Sequence, residues 1–197
     1  MEGVSGQGEK IKLYRLLLEK YSSLINENEE KTIGEIKSMV NGEDLTVQSL
    51  LEDFKGENFS YEKDYLNAAK KAFEFVRDEI SFVEPEISIS YWLSPKEILS
   101  EKVADDEDIA VFLCSLFSGL GDTNASVVIS ELSTLSTHAF VVTERNEKFY
   151  LFDATQKHEF EKFCGKKEEV LQQFSFNGAK IKKFLYKFNK NEYKQFV

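Results

Sequence analysis

The hydrophobic period of this chain changes once, near Gly119 and Gly121, and that change limits the folds open to it. Upstream, apolar residues recur at three- and four-residue intervals, the spacing of one helix face. Residues 9–26 place Tyr14, Leu17, Leu18, Tyr21, Leu24 and Ile25 in this way, after a flexible tail over 1–8. Thr32 can cap a helix through Val40, closed by Asn41 and Gly42, and Thr46 can cap another carrying Val47, Leu50, Leu51 and Phe54. A long helix is expected over about 62–80, with Tyr65, Ala69, Ala72, Phe73, Val76 and Ile80 as its buried stripe. Ile87 to Tyr91 alternates and reads as a short extended piece. Ser94, Pro95 and Glu97 have the order of a capped helix start, and a further helix runs from about 106 to 118.

Downstream, 125–132, 138–143 and 148–153 read as strands, with Arg145, Asn146 and Glu147 turning the last two into a hairpin. A helix over 168–174 and a late alternating strand over 180–188 complete the pattern. Helices first and an antiparallel sheet afterwards define an α+β class. The expected organisation is an N-terminal helical region, 1–60, followed by one α+β domain, 61–197.

Within the second part three short stretches stand in a telling order: Ala104-Asp105-Asp106-Glu107-Asp108-Ile109-Ala110, then His138-Ala139-Phe140-Val141-Val142, then Leu151-Phe152-Asp153-Ala154-Thr155. Over residues 65–157 this resembles the transglutaminase-like branch of the papain-like cysteine enzymes. There a Cys opens a helix within Gly-Asp-Cys-x-Asp-x-Ala, a His follows on one strand and an Asp on the next. The resemblance implies a papain-like core with triad positions at Asp106, His138 and Asp153, and Asp106 stands where the family has its Cys.

That replacement decides the chemistry. Acyl transfer in such a site needs a thiolate polarised by His and by the helix N-terminus. A carboxylate attacking an amide would form a mixed anhydride, which is uphill. Asp106 also has a structural reading, since Asp at a helix start accepts exposed backbone N–H groups, worth about 0.5–2 kcal/mol; Asp105 can serve the same purpose. His138 and Asp153 are expected to be neighbours, the carboxylate orienting the imidazole as in other triads. The alternative for Asp153 is a plain turn at a strand end. Cys114 lies eight residues beyond Asp106 among Phe112, Leu113, Leu116 and Phe117 and reads as a buried structural thiol. Cys164 lies after the matched region. Tyr91 and Trp92, just upstream of the helix, either line the same cleft or belong to an aromatic cluster in the core.

The formal net charge of −10 argues against sequence-independent nucleic-acid binding, which needs a basic footprint. The lysines around 166–167 and beyond 180 read as a solvated face. No stretch approaches the roughly 20 apolar residues of a membrane span. The first residues lack the pattern of a secretory signal, and two cysteines without a CxxC suggest no disulfide framework; a cytoplasmic location is expected. The Asn-x-Ser matches at Asn58 and Asn124 are accordingly not read as glycosylated. No cofactor or metal is assigned. The expected function is a non-catalytic domain that binds a peptide or protein segment through the old substrate cleft, with oligomeric state open. The alternatives are a metal-dependent hydrolase using Asp106, His138 and Asp153, or a residual cysteine amidase or transamidase.

Overall fold

The computed structural model describes residues 18, 20–25, 31–84 and 91–196. The tail over 1–8, the first turns of the expected helix from residue 9, and all but Tyr91 of the extended piece fall outside the described residues. Residues 20–25 are helical, yet Leu18, Tyr21 and Leu24 are exposed, so this stretch adds little to the core.

Three helices follow: α1 (Ile33–Met39), α2 (Leu45–Phe54) and α3 (Tyr61–Glu79). Thr32 caps α1 with Glu35 in a reciprocal capping box. At α2 the cap is Asp44, whose carboxylate accepts from Thr46 N at 2.8 Å and Val47 N at 3.2 Å. Thr46, read as the cap, lies inside the helix: an anionic oxygen two residues earlier satisfies the free amides better than a hydroxyl.

Short parallel strands β1 (Ser81–Phe82) and β2 (Val103–Ala104) flank α4 (Pro95–Glu101), which starts on the expected Ser94–Glu97 capping box. Strand β2 runs straight into α5 (Asp106–Gly119). Every residue of α5 from Asp108 to Phe117 is buried, because the sheet covers one side of the helix while α2 and α3 cover the other. The turn between α1 and α2 packs closely enough on the end of α5 to require glycine: a Cβ on Gly42 would fall 2.5 Å from Gly119 N. Val40, Val47, Leu51 and Phe54 join the same core as α3, α5 and the sheet.

The main sheet holds β3 (Ser126–Leu132), β4 (Thr137–Arg145), β5 (Lys148–Phe152), β6 (Cys164–Gly165), β7 (Ile181–Phe188) and β8 (Tyr193–Gln195), in the order β6-β5-β4-β3-β7-β8, antiparallel throughout. Alternation along β4 sends Ala139 and Val141 toward the helices and Phe140 and Val142 to the opposite face. That second face is covered by residues 163–179, including α6 (Lys167–Gln173), through Phe163, Val170, Phe174 and Phe176. The late strand forms as β7, but it crosses back to pair with β3 instead of extending the hairpin series. No helix among the described residues is long and apolar enough to cross a membrane.

Candidate active site

The start of α5 is built from four consecutive acids, and the first two divide the work. Asp105 is the N-cap, accepting from Asp108 N at 2.9 Å. With the cap filled, Asp106 is free to turn toward the sheet. Its Oδ2 accepts from the backbone N–H of Ala139 at 2.7 Å and lies 3.0 Å from His138 Nδ1. Asp108 looks the other way and accepts from Leu93 N at 2.8 Å, tying the segment before α4 to α5. Burial pushes the carboxyls of Glu107 and Asp108 up to about 7 and about 8, helped by their acidic neighbours.

His138 is the second residue of β4, and Asp153 follows the end of β5; the hairpin between these strands returns both residues to the same end of the sheet. His138 Nε2 lies 2.8 Å from Asp153 Oδ2. Asp153 is buried, and its other oxygen accepts from Thr155 N at 3.1 Å and from the Thr155 hydroxyl at 2.6 Å. Gln156 Nε2 donates to Asp153 Oδ2 at 2.7 Å and to Ser175 O at 3.2 Å, so one amide links this turn to the segment that covers the sheet.

The imidazole therefore has a carboxylate on each nitrogen. Only the doubly protonated ring supplies a donor to both; a neutral ring would turn one lone pair toward an anion. Burial opposes the charge, but the hydrogen bonds and charges of Asp106 and Asp153 together outweigh it, and His138 is raised to about 9. Burial likewise works to raise Asp153, yet its bonds to His138, Thr155 and Gln156 hold it below the ordinary carboxylate range. The His138 side chain is only 1% exposed and that of Asp106 19%, so Asp106 is the member of the group that faces solvent.

Phe176 explains the burial. Its ring lies parallel to the imidazole, centroids 3.8 Å apart and planes 14° inclined, with Phe174 stacked further out at 6.2 Å. Phe82 closes edge-on against Phe176 at 5.9 Å. Phe176 is presented by a two-residue hairpin: its N–H and carbonyl both bond Ala179, and Asn177 and Gly178 take the positive φ values of 47° and 81° that such a turn demands. Neither Phe174, Phe176 nor Gln156 was marked by the sequence pattern. The Asn-Gly pair is the one local signal that could have placed a hairpin there.

The other candidates lie apart. Tyr91 is 48% exposed, while Trp92 packs edge-on against Phe188, the last residue of β7, at 6.2 Å. Cys114 is wholly buried within α5, and burial pushes its thiol up. Cys164 sits in β6 opposite Tyr150, on the edge of the sheet. His158 stacks on Phe73 at 5.5 Å.

Residues 90–177, from Tyr91's neighbour to the Phe176 hairpin, match the model of the CEP76 peptidase-like domain family. No curated protein matches the chain. Among solved structures, Legionella pneumophila LapG is similar at a TM-score of 0.53 and 14% identity, covering 90% of this chain and 85% of that one. The EGTA-treated form of LapG gives 0.53 and 14%, covering 91% and 86%. A TGase is similar at 0.46 and 15%, covering 85% of this chain and 44% of that one. The chain thus carries the α+β, papain-like fold of transglutaminase-like and peptidase-like domains.

Proposed function

We propose that the chain is a non-catalytic transglutaminase-like domain that binds a peptide or protein segment on the solvent-facing side of Asp106, where a catalytic relative would hold its substrate. In this reading Asp106 occupies the position of the nucleophile, and His138 and Asp153 are the other two triad positions. The observation that carries it is the double engagement of His138, 3.0 Å from Asp106 and 2.8 Å from Asp153. A thiolate in such a site pairs with an imidazolium and then attacks. A carboxylate pairs with the imidazolium and stays, because its attack on an amide leads uphill. The pair becomes a clasp between α5 and β4, strengthened by the Ala139 N–H on the same oxygen. His138 keeps no lone pair with which to act as a base.

The same geometry disfavours the metal-dependent alternative. Asp106 and Asp153 stand on opposite nitrogens of one ring and cannot share an ion with it. Thiol chemistry has no support either, since Cys114 is sealed in the core and Cys164 lies on the far edge of the sheet. Two unpaired cysteines fit a reducing, cytoplasmic setting.

The test joins binding to turnover. Peptides selected from a random display library against the purified chain are measured by calorimetry with wild type and with Asp106→Arg, which reverses the exposed charge. Loss of binding in the variant is expected, with no hydrolysis or transamidation of the same peptides. Amide turnover that disappears in Cys114→Ala or Cys164→Ala would overturn the reading, as would selected peptides whose affinity ignores Asp106→Arg.

A further inference from the structure

The end of the sheet opposite His138 carries a groove that the site at Asp106 does not use. It has a volume of about 830 Å³ and lies over β3, β4 and the β7–β8 edge. It begins at Val142 and reaches Glu144, four to six residues along β4 from His138, which is roughly 13–20 Å at strand rise. The segment over 163–179 covers the rest of this face and contributes Lys167 to the groove's wall.

Its chemistry is distinctive within an acidic chain. Residues 162–197 hold nine lysines against three glutamates, a formal charge of +6, whereas the whole chain carries −10. Three of these lysines, Lys167, Lys187 and Lys194, line the groove. Other lysines of the same stretch are paired, Lys182 with Glu131 and Lys190 with Glu43. The three in the groove have no carboxylate within 4 Å among the described residues. Two of them lie over aromatic faces instead: Lys167 Nζ is 5.5 Å from the Phe149 ring and Lys194 Nζ 4.8 Å from Phe196. Phe184 meets Phe196 edge-on at 5.9 Å and completes an apolar floor. Glu144 and Glu192 line the groove as well, so its lining holds three lysines and two glutamates.

The geometry points to this groove as a docking site for an acidic peptide, with carboxylates reaching Lys167, Lys187 and Lys194 and an apolar anchor resting between Phe149, Phe184 and Phe196. The volume is at the upper end of the range for small-ligand pockets and suits a few residues of extended chain. Lys167 and Lys194 are exposed, and the ring beneath each holds its ammonium beside the apolar floor, where an incoming carboxylate can reach it. A long polyanion fits less well: beyond about one Debye length, roughly 8 Å in physiological salt, it meets the acidic remainder of the surface.

Fluorescence anisotropy with a fluorescein-labelled peptide of glutamates flanking a central phenylalanine tests the assignment on the full chain. Saturable binding is expected, weakened tenfold or more in Lys167→Glu/Lys194→Glu and also by Phe184→Ala. The charge variants alter exposed side chains, and an unchanged circular-dichroism melt shows that they fold. A lysine-for-glutamate version of the peptide should not bind. Absence of saturable binding, affinity indifferent to Lys167→Glu/Lys194→Glu, or tighter binding of single-stranded RNA or of phosphatidylserine vesicles than of the acidic peptide would overturn it.

Discussion

Phe176 lies flat on the imidazole of His138, 3.8 Å between centroids, while Asp106 and Asp153 engage its two ring nitrogens. The carboxylates hold the charge and the phenyl ring excludes water from above it. An imidazolium under an aromatic face also gains a cation–π attraction, about 2 kcal/mol or more where the site is dry. The hairpin over 176–179 is therefore part of the site, although it comes from a distant part of the chain.

This makes two substitutions separable. Phe176→Ala removes a nearly buried ring and should cost about 3–5 kcal/mol in urea unfolding. Phe176→Leu keeps most of the apolar cover but not the π face. It should cost less and still lower the His138 pKa, read by NMR titration of the ring protons. A leucine variant whose His138 titrates as in wild type would show that the stacking is packing alone.

The charged groups at the start of α5 predict how stability follows pH. His138 is raised to about 9, against about 6.5 for an unfolded His, so its contribution is complete below about pH 6.5 and is lost as pH rises through 9. The full effect is on the order of 3 kcal/mol. Glu107 and Asp108 keep protons in the folded chain that the unfolded chain releases near pH 4, so they too weaken the fold as pH climbs toward 7 and 8. Asp153, held low, acts oppositely, and its contribution fades only as pH falls below the ordinary carboxylate range. The thermal midpoint should be highest in mild acid and decline steadily from about pH 6 to pH 9.5. A midpoint flat across that span would contradict the imidazolium assignment.

Asp153 is the buried anchor of the group, and its removal should be the most damaging. Asp153→Ala leaves the Thr155 hydroxyl, the Gln156 amide and His138 Nε2 without their common acceptor. Breaking a buried pair in this way costs about 3–5 kcal/mol. Asp153→Asn keeps an acceptor oxygen and should lose less, while lowering the His138 pKa. Equal stability of the two variants in chemical denaturation would show that the retained acceptor oxygen contributes nothing and that the whole loss is that of the charge.

Much of this arrangement was legible in the residues alone, and the limit is physical. Local signals place the helix starts at Thr32 and Ser94 and strands over 125–132, 138–143 and 148–153, within two residues of the observed 126–132, 137–145 and 148–152, because capping and alternation are properties of neighbouring residues. Asp106, His138 and Asp153 stand out by their order along the chain, and in the structure they touch. The cap of α2 was misplaced by two residues because Asp44 and Thr46 are both competent and only geometry chooses between them. Phe176 carries no local mark: whether an aromatic ring covers a site or merely fills a core depends on the crossover that returns β7 beside β3 and drapes 163–179 over the sheet. The groove over Phe149 and Phe184 is hidden for the same reason, since its walls come from five separate strands.

The contact of the α1–α2 turn with the end of α5 gives a stability prediction far from the site. A Cβ on Gly42 would press on the backbone of Ser118 and Gly119, atoms that cannot rotate away. Gly42→Ala should therefore destabilise by about 1–3 kcal/mol, the usual cost of overpacking, although the φ of Gly42 is not positive and would itself admit alanine. A neutral or stabilising result in thermal unfolding would mean that the N-terminal helices are held less closely to α5.

The sharpest probe of the site restores the sulfur. Asp106→Cys, made in a Cys164→Ala background, sets a thiol at the first turn of α5 on the Nδ1 side of His138, with the imidazole still oriented by Asp153 through Nε2. The helix N-terminus and an adjacent imidazolium both favour thiolate. Asp106 keeps 19% of its side chain exposed, so an alkylating reagent has a route to this position. Cys114, fully buried and pushed toward the neutral thiol by burial, serves as the internal control. Iodoacetamide at neutral pH should modify the new cysteine at least tenfold faster than Cys114, read by peptide mass spectrometry, and His138→Ala should slow it. Should the new thiol react no faster than Cys114, Asp106 does not stand at a nucleophile's position, and the clasp with His138 has no catalytic ancestry to explain it.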